Sequence, residues 1–332
     1  MSFTLKGRGE RAENKSKGGS MTQEATEKKE VRYELVEIPE EFGPVKVLVD
    51  DHKIKTYAFT QDDYRAWYFS DNSPFGKRIG HASILANDLL WLFLTNRENI
   101  VGLHAQEELW FHNPVFAGEQ ATLQGKYVDK YKKRGKGYVV IEAEARGEDG
   151  RLLVRRRGIE IMRSDLGSVV GRRSAKDVDK QVTTEYRKEV APAEQARAGL
   201  EPETPIAPLV KHVTQEQMSV FSRAGEYSKN FHTDLDRARE AGLRLPVVQG
   251  QQLVGYLTEM LTNFFGASWF TSGWEKLKFI HPVYAGETVT ARGVVTGVVE
   301  ENGVTRLELE IWVENEDGVK AAVGWASAVV DG

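Results

Sequence analysis

Asn113-Pro114-Val115-Phe116-Ala117-Gly118-Glu119 comes back later in the chain as His281-Pro282-Val283-Tyr284-Ala285-Gly286-Glu287. The displacement is 168 residues (281 minus 113), and it continues without a gap on both sides. Upstream it carries Glu107, Leu109 and Phe111 onto Glu275, Leu277 and Phe279. Downstream it carries Gly125 onto Gly293, Gly135 onto Gly303 and Asp149-Gly150 onto Asp317-Gly318. A register kept over so long a span means two copies of one structural unit. Two copies, rather than a longer array, point to a paired-domain protein. Function is then to be sought where the copies differ, and between them.

Each copy reads helix first, then sheet. Residues 251–265 place Leu253, Leu257, Met260 and Phe264 at helical spacing, after Pro246 and the Gln249-Gly250 pair. Residues 83–94 (SILANDLLWLFL) are apolar nearly all round, which predicts a helix enclosed by other structure. Strands follow: Leu307, Leu309, Ile311 and Val313 alternate with Arg306, Glu308, Glu310 and Trp312, the period of two. The displaced stretch sets Val139, Ile141, Ala143 and Ala145 against Tyr138, Val140, Glu142 and Glu144. Asp149-Gly150 and Asp317-Gly318 have hairpin-turn chemistry. An apolar helix followed by four antiparallel strands predicts an α+β fold in which a curved sheet wraps a central helix. That is a double hot-dog when present twice. The expected organisation is a disordered tail over residues 1–30, a first unit over 31–165, a proline-rich crossover over 166–211 and a second unit over 212–332.

Composition narrows the function classes. The chain has 332 residues, 40% hydrophobic, with a formal net charge of −4. That charge is too small for a field that would recruit nucleic acid or an acidic membrane. The absence of cysteine removes disulfides, thiolate metal sites and a cysteine nucleophile together. The longest apolar run falls short of the ~18 residues that a membrane span needs. No apolar segment of the secretory type opens the chain, so a cytoplasmic location is expected. No glycine-rich phosphate loop and no paired-histidine ligand spacing occurs, and neither a nucleotide cofactor nor a metal is expected.

Phe221-Ser222, His232-Thr233-Asp234, Ala238, Gly242 and Pro246-Val247-Val248-Gln249-Gly250 together resemble the MaoC-like dehydratase family, which includes the R-specific enoyl-CoA hydratases. The segment with Phe279, Pro282-Val283, Ala285-Gly286-Glu287 and Thr290 resembles the family's strand entering the sheet. The resemblance implies reversible addition of water to a trans-2-enoyl thioester, giving the R-3-hydroxyacyl thioester. Coenzyme A would enter as part of the substrate, or a carrier protein in its place, with no further cofactor. The resemblance also implies an Asp and a His five residues later that hold the water. Amides at the start of the central helix would face the thioester oxygen.

Carried onto this chain, the histidine position is His232, and Tyr227 stands where the family has its Asp, with Glu226 adjacent. The helix-entry donors become Gln249, Gly250 and Gln251. The first copy keeps an acid, Asp63, but has Tyr68 in the histidine position, so neither copy carries the full pair. Three readings stay open: a hydratase using His232 with Glu226 or Tyr227, a non-catalytic acyl-thioester binding protein, and a thioesterase. Asp234 reads as a helix N-cap, and His81, at the first helix entry, as a packing residue. Lys132, Lys133 and Arg134 lie in a hairpin turn, read either as a solvated turn or as a site for coenzyme A phosphates. Of Arg155, Arg156 and Arg157, alternate side chains must face opposite sides of a strand. The two copies are expected to form an internal pseudo-dimer, with further homo-oligomerisation open.

Overall fold

The computed structural model describes residues 29–30, 32–98, 102–162, 182–222, 229–301 and 303–330. Most of the tail expected over residues 1–30, the start of the crossover, and both Glu226 and Tyr227 lie outside the described residues.

One ten-stranded antiparallel sheet runs through the molecule. In chain order its strands are β1 (Glu40–Val49), β2 (Gly102–Phe111), β3 (Glu119–Lys133), β4 (Lys136–Arg146), β5 (Leu152–Met162), β6 (Leu209–His212), β7 (Trp274–Phe279), β8 (Thr288–Glu301), β9 (Val304–Asn315) and β10 (Lys320–Val329). Their spatial order is β1-β3-β4-β5-β2-β7-β10-β9-β8-β6, so the second five mirror the first. The copies meet at β2 and β7, where Glu107 faces Leu277, Glu108 faces Lys276 and Leu109 faces Glu275. Shifting Glu107 and Leu109 by 168 residues gives Glu275 and Leu277, so the pairing maps onto itself. A local twofold axis therefore passes between Glu108 and Lys276. The isolated bridges Ile79–Phe116 and Val247–Tyr284 obey the same displacement.

The sheet wraps α1 (Asp51–Gln61), α2 (Ala86–Trp91), α3 (Gln215–Phe221), α4 (Leu235–Glu240), α5 (Gly250–Phe265) and α6 (Ala267–Ser272). Every residue of α5 from Gln251 to Thr262 is buried. Its apolar side chains Leu253, Leu257, Met260 and Phe264 join one core with Leu277, Leu309 and Ile311 of the sheet. Burial of side chains of this kind contributes about 1.5–3 kcal/mol each before entropy is set against it. Asp234 caps α4 by accepting from the Arg237 amide, as the sequence suggested.

The first copy's helix is shorter than residues 83–94 led us to expect. The α-helix covers only Ala86–Trp91, followed by a 3-10 turn over Leu92–Thr95. The cause is local. The amide and hydroxyl of Ser83 both turn onto Nδ1 of His81, which holds residues 82–85 in turns. Thr95 Oγ1 donates to the Leu92 carbonyl at the other end. Two elements that the hydrophobic pattern did not announce, β1 and α1, precede this helix. The crossover is not inert either. Val182 and Tyr186 pack on Trp312 and Val323, and the amides of Thr183 and Thr184 donate to Glu310. The strand alternation placed Trp312 and Glu310 on the outer face; the crossover covers them there.

Candidate active site

The mouth of α5 is built by backbone first. Val248 donates to the Val283 carbonyl at 2.8 Å, which leaves Gln249 extended (φ −67°, ψ 139°) as the N-cap. The Gln249 carbonyl accepts the first helical bond from Gln252 at 3.0 Å. Its side chain does not cap the helix; Nε2 donates to Ser222 Oγ at 2.7 Å. Among the described residues no backbone carbonyl accepts from the Gly250 and Gln251 amides. Such amides, at the positive end of a long helix, suit a developing negative charge.

His232 is tied to the chain three residues ahead of this mouth. Its backbone amide donates to Asn230 Oδ1 at 2.8 Å, and Gln215 Nε2 donates to its carbonyl. Nδ1 lies 2.6 Å from the Val247 carbonyl oxygen, which can only accept, so Nδ1 carries the hydrogen and Nε2 the lone pair. Burial drives the imidazole pKa down to about 4, against a smaller opposing effect of the Val247 bond. The ring is therefore neutral at pH 7 and is a proton acceptor at Nε2.

A second set of groups reaches the same mouth from the first copy. Glu107, on the inward face of β2, accepts from Gln251 Nε2 at 2.7 Å. It also accepts from Arg156 of β5 at 2.8 Å and holds His104 Nε2 at 2.9 Å. Glu107 and Arg156 are each 1% exposed. Burial alone would raise the Glu107 pKa, but Arg156 and His104 outweigh it and hold the group below the ordinary carboxylate range. Arg156 also bonds Glu160 at 3.1 Å. Its guanidinium folds over Gly158, where a Cβ would lie 2.1 Å from Nη2. His104 packs on Phe279 with ring centroids 4.6 Å apart. Both rings abut Gly250, where a Cβ would sit 3.0 Å from His104 Nδ1 and from Phe279 Cζ. Of the three consecutive arginines, then, the middle one is the inward residue.

At the first copy's own helix entry the polar side chains are sealed from solvent against one another. His81 Nδ1 accepts from Ser83, so Nε2 bears the hydrogen and points at Asp63 Oδ2, 3.6 Å away. Burial pushes His81 to about 4, which makes this a contact between a neutral ring and a carboxyl group. Asp63, Tyr68 and His81 are 5%, 1% and 2% exposed. The sealing fits the packing role read for His81. Glu275, the twofold mate of Glu107, is fully buried and accepts from Thr258 Oγ1 at 2.7 Å. Burial, only partly offset by the Thr258 bond, raises its pKa to about 8, and no cation among the described residues is bonded to it.

The basic hairpin lies at the β3–β4 turn. Lys132 sits 5.3 Å from the centre of the Tyr33 ring, Arg134 occupies the turn with φ 51°, and Lys133 adds, after burial and Lys276, to the lowering of the Lys278 pKa. Sequence reasoning missed His104 and Arg156 as site neighbours. The available signal was Glu107, a charged residue in register with inward Leu109 and Phe111.

Residues 195–315 match the family model described as MaoC like domain. No curated protein matches the chain. Among solved structures the chain is similar to a MaoC domain protein dehydratase from Chloroflexus aurantiacus J-10-fl, with TM-score 0.67, 11% identity and coverage of 92% of this chain and 99% of that one. It is similar to a Mycobacterium tuberculosis protein described as having a double hot-dog fold, with TM-score 0.62, 14% identity and coverage of 90% and 98%. It is also similar to the peroxisomal multifunctional enzyme type 2 of Drosophila melanogaster, with TM-score 0.58, 18% identity and coverage of 88% and 48%. The fold is a double hot-dog.

Proposed function

We propose that this chain, a double hot-dog whose residues 195–315 are a MaoC-like domain, is a hydratase or dehydratase of acyl thioesters. The finer reading is reversible addition of water to a trans-2-enoyl thioester of coenzyme A, giving the R-3-hydroxyacyl thioester. One observation carries it: a neutral imidazole is fixed as the Nδ1–H tautomer by the carbonyl of Val247, three residues ahead of a buried helix that opens with two amides free of backbone acceptors among the described residues.

Those groups divide the work. The amides of Gly250 and Gln251 face the thioester oxygen and stabilise the negative charge that gathers there as the double bond is attacked. His232 Nε2 takes a proton from water as its oxygen bonds C3, and the proton passes to C2 as the enolate collapses. The hydrogen and oxygen of one water are then both in the product. Glu226 or Tyr227 would orient that water. Lys132, Lys133 and Arg134, the last two at the turn near Lys278, would meet the coenzyme A phosphates. No helix among the described residues is long and apolar enough to cross a membrane.

The test uses crotonyl-CoA and longer enoyl-CoAs, following enoyl absorbance and free thiol together. Loss of absorbance without thiol is the expected result. Thiol release would make the protein a thioesterase, and saturable binding without either change would make it a binding module. His232→Ala should slow hydration by about 10²–10⁴-fold; an unchanged rate removes the assignment.

A further inference from the structure

The twofold that relates the copies brings two equivalent glutamates to the centre of the sheet, Glu107 and Glu275, and surrounds them differently. Glu275 has a hydroxyl partner, Thr258, while Glu107 is the hub of Gln251, Arg156 and His104. Shifting the first-copy network by 168 residues replaces His104 with Ser272, Arg156 with Gly324 and Glu160 with Ala328. Among the described residues Glu275 therefore lacks the ionic hub that Glu107 has, and the hub at the α5 entry comes from the other copy.

Packing alone does not call for this. An apolar side chain would fill the Glu107 position without desolvating an ion pair, and buried ion pairs are commonly no better than apolar replacements for stability. The network also leaves Arg156 Nη1 and His104 Nδ1 buried without hydrogen-bond partners. What it supplies is placement. Gln251 is the second residue of α5, and its side chain is tied at 2.7 Å to a carboxylate held in turn by β5. Gly250, the first residue, is bounded by the His104 ring that the same carboxylate orients. Both donors proposed for the thioester oxygen are thus located by one residue of the first copy.

We infer that Glu107 is a positioning residue for the second copy's site, fixing the two amides at the α5 mouth through Gln251 and His104. The first copy serves as the frame of its neighbour's oxyanion site. This rests on the reading of that mouth given under Proposed function.

Gln251→Leu tests it. The change removes the tether, keeps the backbone amide, and leaves Glu107 paired with Arg156 and His104. With crotonyl-CoA, kcat should fall ~10–100-fold, the cost of loosened alignment, with KM within about threefold of the parent. Glu107→Gln, where it folds, should combine with Gln251→Leu less than additively in kcat, because both changes break the Gln251 linkage while only Glu107→Gln also disturbs His104. A readout without turnover is the infrared carbonyl stretch of bound butyryl-CoA labelled with ¹³C at the thioester. The parent should shift it to lower wavenumber, and Gln251→Leu should lose most of that shift. A Gln251→Leu protein with parental kcat and parental carbonyl shift overturns the inference and leaves the hydratase reading intact. A parent that shifts the carbonyl but hydrates no enoyl-CoA overturns the hydratase reading, while loss of the shift in Gln251→Leu still supports the positioning role. A parent that neither hydrates nor shifts the carbonyl overturns both.

Discussion

Replacing Glu275 by Gln should make the protein's stability less dependent on pH, and the structure sets the size. Glu275 is fully buried and bonded to Thr258, and burial lifts its pKa from 4.5 to about 8. The unfolded chain ionises it in the ordinary range. A group whose pKa is higher in the folded state contributes its stability in full below the unfolded pKa and loses it as pH rises through the folded one. The loss therefore begins near pH 4.5 and is complete a little above 8. At 1.36 kcal/mol per pH unit, with the slope reduced near each of the two pKa values, it amounts to ~3.5 kcal/mol between pH 5 and 8. Glutamine keeps an acceptor for Thr258 and does not titrate. His81 and His232, both depressed to about 4, act in the opposite sense: they lose stability as pH falls from 6.5 to 4. They are present in both proteins and cancel in the comparison. Urea unfolding followed by fluorescence of the seven tryptophans, at pH 5, 6, 7 and 8, measures the two slopes. Parent and variant curves that run parallel across this range would refute the assignment of Glu275 as a buried, protonated carboxyl.

Three further outcomes are expected. Because His232 is depressed to about 4 and works as the neutral base, kcat/KM for hydration should stay level from pH 5 to 7.5; a break centred near 6.5 would contradict this. Gly158→Ala places a methyl on the Arg156 guanidinium and should cost about 3 kcal/mol by splitting the Glu107 pair, read as a lower urea midpoint; an unchanged midpoint counts against the pair. Lys133→Glu should raise KM for coenzyme A thioesters several-fold while sparing N-acetylcysteamine thioesters, and added salt should narrow the difference; equal effects on both substrates would return the hairpin to being a solvated turn.

The doubled scaffold was legible because turn residues and inward strand positions recur at a constant offset, and both features are local. The helix starting at Gly250 and the cap at Asp234 were legible for the same reason. The short α2 was not, since hydrophobicity does not reveal that His81 draws Ser83 out of helical geometry. Trp312 and Glu310 looked outward because the strand alternation cannot show that residues 182–186 return to cover them. The site divides along the same line. His232 stood out through a motif within one loop. The association of His104, Glu107, Arg156 and Gln251 depends on strand pairings between residues far apart in the chain, Glu107 with Gly158 and with Leu277, plus a β-bulge between His104 and Gln106. Glu107 gave a hint, as a charge in a row of buried apolar residues.

The pairing at the twofold axis also dictates which halves can associate. Glu108 and Lys276 meet there at 3.4 Å, opposite charges on a symmetry axis that only a mismatched couple can satisfy. Two first halves joined along β2 would bring carboxylate against carboxylate, and two second halves along β7 would bring ammonium against ammonium, each unfavourable for residues directly across a ladder. The pair at the axis therefore favours one half of each kind. Severed at the crossover and mixed, the fragments should recombine as one of each kind.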